Sequence, residues 1–191
     1  MEVVEMEGRT VRAMGIDQGL TLAGFALLQL SDTPPVVLET YLEEYKVGRR
    51  RLKSIRAKAR RLVAITATLC TLWKPDIVVT EMAATPFETH KRGTFSTLAG
   101  ATFLLFAGVP EPIPIILVNV SSWQSEVLHY KRGQDTKQLS IALVKSLFGL
   151  DKPHHICDAI NMTVAYPTLE ARGDINVLKV EHGGGLWTPQ K

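Results

Sequence analysis

The feature that most constrains this chain is a change of hydrophobic period after its first fifty residues. Residues 11–16 (VRAMGI) run apolar into Asp17, GFALLQL follows at 24–30, and VVLETYLEEY at 36–45. Gly19 and the Pro34-Pro35 pair punctuate them, so three runs with short connections predict an antiparallel meander. Over residues 49–73 the period becomes helical. Leu52, Ile55, Ala59, Leu62, Val63, Thr66, Leu69, Cys70 and Trp73 recur at steps of three and four, and Lys74-Pro75 closes the pattern. Strands and helices then alternate. DIVVTE (76–81) and IPIILV (113–118) read as short buried strands. Helices are predicted over 91–107, from a Ser121 cap to 130, over 136–149 with Gly149 as the closing residue, and over 154–166, stopped by Pro167. The order predicts an α/β fold: a mixed five-stranded sheet, three antiparallel strands then two parallel ones, with helices on both faces.

Length and composition suit this reading. A chain of 191 residues with 46% hydrophobic and 21% charged residues can bury a core without staples, which excludes a disordered or disulfide-built protein. One domain over 1–191 is expected, with its core at about 11–166 and a loosely attached extension over 168–191. Cys70 and Cys157 both sit in apolar helical patterns and read as unpaired core thiols of a reducing compartment. The acidic start, MEVVEMEGRT, lacks the apolar segment of a signal peptide, and no apolar run reaches the roughly 20 residues of a membrane span. A cytoplasmic protein is expected. The net charge of +3 says little about nucleic acid by itself.

Chemistry concentrates at element ends. Asp17 ends the first strand, in GIDQG, and Glu81 ends DIVVTE. If these strands run parallel as neighbours, their carboxylates meet at the carboxyl edge of the sheet, where open α/β sheets place their sites. A turn or cap role is the ordinary alternative for Asp17, and a weaker one for Glu81, because Glu is a poor cap. His155 and Asp158 stand three apart on an apolar helix and so share a face. Burying Asp158 there unpaired would be costly, so it needs a partner, a metal or solvent; a local pair with His154 or His155 is the alternative. Three acids and a His form an oxygen-rich set suited to Mg²⁺ or Mn²⁺, and the chain has no CxxC or HExxH pattern that would favour zinc.

In this order the motifs resemble those of RuvC-type Holliday junction resolvases. GIDQGLTLAGFALL is similar to the family's opening strand–turn–strand, VVTEM to its second acidic motif, and HHICDAINMTVAY to its last. The resemblance covers about 11–166. It implies the RNase H-like fold and structure-selective, metal-dependent cleavage of four-way DNA junctions, leaving 5′-phosphate and 3′-hydroxyl ends. It assigns metal ligation to Asp17, Glu81 and Asp158, and the position three before the last Asp to His155, with His154 as competitor. It implies two ions in the site, one activating water and one stabilising the leaving oxygen. Two departures mark a divergent member: Gln18 stands where the family has Pro, and Asn161 follows the Asp-Ala pair where small residues are usual.

Basic residues offer places for DNA. The run at 49–61 carries Arg49, Arg50, Arg51 and Lys53 among other cations opposite the apolar stripe; it can track phosphates or balance the acidic segment LEEY at 42–45. Lys131, Arg132 and Lys137 form a second cluster. By resemblance, Lys137 and less directly Lys131 stand near the scissile phosphate, where a cation neutralises developing charge; an ordinary helix-start lysine is the alternative. Phe87 corresponds to an aromatic that stacks at the junction, or is simply buried. The small residues Gly93, Ala99, Gly100 and Ala101 correspond to a homodimer interface, which suits two symmetric cuts. Two rivals stand beside this reading: an RNase H-like nuclease for RNA–DNA hybrids or precursor ribosomal RNA, and a non-catalytic junction-binding module.

Overall fold

A computed structural model of the protein describes residues 10–19, 22–31, 34–45, 52–82, 107–131 and 133–178, with the side chains of the first helix from Ala57 onward. The predicted helix over 91–107 and the end of the chain beyond 178 fall mostly outside the described residues. The strands are β1 (Val11–Gln18), β2 (Leu22–Leu30), β3 (Val36–Glu44), β4 (Ile77–Met82), β5 (Ile115–Asn119) and β6 (Ile175–Leu178). The described helices are α1 (Leu52–Trp73), α2 (Val120–Leu128), α3 (Thr136–Phe148) and α4 (His154–Ala171).

The six strands form one sheet in the order β3-β2-β1-β4-β5-β6. The meander pairs antiparallel, β1 with β4 and β4 with β5 pair parallel, and β6 returns antiparallel on β5. The mixed sheet therefore has six strands rather than the expected five. The extra strand comes from the segment expected to be loosely attached. Ile175 packs against the core there, and the added strand covers the backbone edge that β5 would otherwise expose.

Side chains alternate between the two faces of each strand. Met14, Ile16, Phe25, Leu27 and Val78 pack with Leu62, Leu69 and Cys70 of α1. Val11, Ala13, Ala26, Leu28 and Val79 pack on the other face with Trp123 of α2, Val144 of α3 and Ile156 and Ile160 of α4. Both cysteines are buried and unpaired, as expected, and burial raises each thiol to about 11.

Two helix boundaries differ from the expectation. Pro167 does not stop α4, because buried Tyr166 and Leu169 extend its apolar face. The helix runs on to Ala171 with Arg172 as its cap; just beyond, Gly173 at φ +71° sends its N–H to the Glu170 carbonyl while the Asp174 N–H reaches Leu169. At α2 the cap is not Ser121 but Asn119, whose Oδ1 accepts the Ser121 N–H at 3.0 Å. Gly149 closes α3 as expected, at φ +68°, donating to the Lys145 carbonyl.

Candidate active site

Register brings the two strand acids together. β1 and β4 pair in parallel up to Ile16↔Thr80, so Asp17 and Glu81 are the next residues on neighbouring strands. By the alternation of strands, Asp17 shares a face with Ala13 and Glu81 with Val79, and that is the face covered by α4.

Glycines then let α4 come close. Gly15 faces Thr163 and the Ala159 carbonyl, and Gly24, paired with Asp17 across the β1–β2 ladder, faces the His155 carbonyl; a Cβ at either position would collide with those atoms. A Cβ at Gly19 would stand 2.8 Å from the His155 ring. The N-terminal turn of α4 is thus seated on backbone, which carries His155 and Asp158 to the edge where Asp17 and Glu81 stand.

Each of the three acids has a partner. His155 Nδ1 lies 2.5 Å from Asp17 Oδ2. Glu81 Oε1 accepts the indole N–H of Trp123 at 2.9 Å. Ser140 of α3 hydrogen-bonds Asp158, and Asn161 Nδ2 donates to the Ser140 hydroxyl at 2.8 Å and its carbonyl at 3.1 Å. Of the two histidines it is His155 that meets Asp17. The His154 ring packs on it with centroids 4.0 Å apart, and its proton affinity is lowered by burial, then by the charges of His155 and Lys137.

The acids sense one another. Burial, and next the charge of Asp17, raise the Glu81 carboxyl well above the usual carboxylate range; the Trp123 hydrogen bond opposes this, and Asp158 adds to it. Burial raises Asp158 to about 7, and Asp17 adds to the rise, while Ser140, His155 and Lys137 lower it. Among the described residues no three of these side chains already close into a ligand cage. What stands together is a set of like charges held by separate hydrogen bonds.

Lys137 lies in the first turn of α3, after the Asp135 cap that accepts its N–H at 3.0 Å, and its charge is felt at both His154 and Asp158. Lys131 is exposed on the preceding loop. Arg49, Arg50, Arg51, Phe87 and Arg132 lie outside the described residues, as does the side chain of Lys53. Further along the same helix, Arg61 pairs with Glu43 at 2.7 Å, so at that position a cation does balance the acidic segment of β3.

Sequence reasoning passed over four contributors. Trp123 was given no role, and Gly15 and Gly24 stood inside the opening motif with no role of their own. Gln18, a mere departure from a motif, is buried, with the Thr80 hydroxyl 3.3 Å from its Oε1 and the Glu81 carbonyl 3.5 Å from its Nε2, so it ties the ends of β1 and β4 together.

Comparison with known proteins leads to the same family as the motifs. No protein-family model matches the chain. The crossover junction endodeoxyribonuclease RuvC of Caldicellulosiruptor saccharolyticus is 26% identical over an alignment of 170 residues that covers 82% of this chain and 92% of that protein. The structure of Thermus thermophilus RuvC in complex with a Holliday junction substrate matches with a TM-score of 0.65 at 17% identity, covering 88% of this chain and 99% of that one. A yeast mitochondrial Holliday junction resolvase matches with a TM-score of 0.56 at 13% identity, over 87% of this chain and 81% of that one. The structural likenesses establish the RNase H-like fold of the resolvases.

Proposed function

We infer that this chain, RuvC-like in sequence and in fold, is a Holliday junction resolvase: a structure-selective endodeoxyribonuclease that hydrolyses phosphodiesters in four-way DNA junctions. The observation that carries the reading is the meeting of Asp17 and Glu81 at one sheet edge with His155 and Asp158 of α4, in a chain that spans nearly the whole length of a RuvC relative.

The donor set fits hard divalent cations. Three carboxylates share one edge, and the proton affinities of Glu81 and Asp158 are raised in part by neighbouring carboxylate charge. A cation relieves that repulsion as a proton would, but without silencing the oxygens as ligands. Asp17, Glu81, Asp158 and His155 would hold Mg²⁺ or Mn²⁺, with two ions per site. Such ions supply water activation and neutralise charge at the phosphate.

The residues themselves contribute orientation and charge. Asp17, by accepting from Nδ1, fixes the His155 ring and leaves Nε2 as the nitrogen available to a cation or a proton. Lys137 adds positive charge beside Asp158, where a scissile phosphate would bring negative charge. Lys131, Arg132, Arg49, Arg50, Arg51 and Lys53 would hold phosphates and Phe87 would stack on a base. A homodimer would set two such sites for symmetric cuts, each leaving a 5′-phosphate and a 3′-hydroxyl.

The test gives purified protein a four-way junction, plain duplex or RNA–DNA hybrid with Mg²⁺. Symmetric nicks confined to the junction are expected. Asp17→Asn should lower kcat on the order of 10³-fold while junction binding persists, the size seen when a group stabilising transition-state charge is lost. Equal cutting of duplex or hybrid would sink the junction reading, and wild-type protein inert with both Mg²⁺ and Mn²⁺ would make it a binding module.

A further inference from the structure

The residue that holds Glu81 belongs to none of the motifs. Trp123 is 1% exposed and packs in the core under α4. An indole has one polar atom, a donor, and leaving it buried without an acceptor costs roughly 1–3 kcal/mol. In most cores a backbone carbonyl would meet that need. Here the acceptor is Oε1 of a site carboxylate at 2.9 Å.

The path to this contact is short and stiff. Glu81 pairs with Val118 across the parallel β4–β5 ladder. The next residue, Asn119, ends β5 and caps α2, taking both the N–H and the hydroxyl of Ser121 on its Oδ1. Trp123 follows in the first turn. The strand that lies beside Glu81 therefore also delivers the indole that holds it. Because the indole N–H can only donate, Oε1 must be an acceptor in every protonation state of Glu81. One lone pair of Oε1 is occupied by the indole, so Oε2 is the oxygen left with both lone pairs for a cation.

We propose that Trp123 is a positioning residue of the nuclease site, pinning Glu81 Oε1 so that Oε2 is the oxygen presented to the acid cluster. The proposal rests on the reading of Glu81 as a site carboxylate. A residue that orients a ligand in this way typically controls about 10–100-fold in metal affinity or activity.

The experiment uses the intact protein in three forms: wild type, Trp123→Phe and Glu81→Gln. In ¹⁵N-labelled wild type the Trp123 indole N–H signal, assigned by its loss in Trp123→Phe, should move on addition of Mg²⁺ and in Glu81→Gln. Trp123→Phe, folded by circular dichroism, should lose about 10–100-fold in kcat and need more Mg²⁺, with KM for the junction unchanged. A wild-type kcat and Mg²⁺ dependence in folded Trp123→Phe overturns the proposal. So does an indole signal indifferent to both Mg²⁺ and Glu81→Gln, which decides the matter even if the Phe variant does not fold. Glu81→Gln separates the two levels. If it cleaves like wild type, the assignment of Glu81 fails; if it is inactive while Trp123→Phe is normal, only the role of Trp123 fails.

Discussion

The two faces of the sheet solve the same packing problem in opposite ways. Under α1 the contact is side chain to side chain: Met14, Ile16, Phe25 and Leu27 meet Leu62, Leu69 and Cys70. The described ion pair on that side, Arg61 with Glu43, is a local one, and Tyr41 completes it by donating to Glu43 at 2.6 Å. Burial pushes the Glu43 carboxyl up, but the hydrogen bonds from Arg61 and Tyr41 outweigh it, and it stays below its ordinary value. Under α4 the strands withdraw their side chains at Gly15 and Gly24, and polar residues enter the core: Ser140, Asn161 and Thr163 are fully buried. On the first face a carboxylate is satisfied by a cation of the chain itself. On the second, Glu81 and Asp158 are half-buried near Asp17 with raised proton affinity. A fold optimised only for stability has no use for that arrangement; a site that takes up cations does.

The contrast can be broken first at Gly24. Gly24→Ala should push the start of α4 off β2, costing about 1–3 kcal/mol by overpacking. A shift of about 1 Å at the reacting groups is enough for a roughly 100-fold loss of kcat, measured on junction substrate with protein shown to be folded. The matched change on the other face, Leu27→Ala, should cost about 2–5 kcal/mol in urea unfolding yet leave kcat per folded molecule intact. Equal kcat losses in the two variants would mean that the faces do not divide the labour.

Acid titration sharpens the comparison. Asp158 rises from its ordinary 3.8 to about 7 in the folded protein, and Glu81 also rises. The folded state then holds these protons more tightly than the unfolded chain. The Asp158 contribution is present at low pH and is lost as pH climbs from about 4 to about 7, and that of Glu81 declines in the same direction. Metal-free protein should show this decline in urea midpoint, Asp158→Asn should flatten it, and Mg²⁺ should restore stability at the upper end. A metal-free midpoint that rises steadily across the window would contradict the raised values.

The smallest effect concerns salt. If Lys137 neutralises one phosphate, Lys137→Ala should make the slope of log binding constant against log salt shallower by about one. Arg61→Ala should leave it unchanged, since its guanidinium is engaged by Glu43. Junction binding at several salt concentrations reads both.

Much of this was visible in the chain. Period two, then period 3.6, then alternation gave the class of strands β1 to β5 and of the four described helices. Asp17, Glu81 and Asp158 stood out as acids at the ends or within apolar elements that could not hide them. The misses have physical causes. Pro167 reads as a stop because local sterics disfavour it, but Tyr166 and Leu169 bury enough apolar surface to carry the helix on to Ala171. β6 is too short to announce itself and exists because β5 offers an unpaired edge. Gln18 and Asn161 looked incidental because their partners, Thr80 and Ser140, are distant in sequence.

What the sequence by itself determined is the kind of each element, the identity of the acids and their places at element ends, because local dihedral preference and hydrophobic period act over a few residues. Which groups meet was decided only by tertiary structure. His155 rather than His154 reaches Asp17 across 138 residues, Trp123 reaches Glu81 across 42, and Gly15 and Gly24 set how closely α4 can lie. Those contacts depend on sheet order, strand register and backbone approach, which no single stretch of the chain encodes.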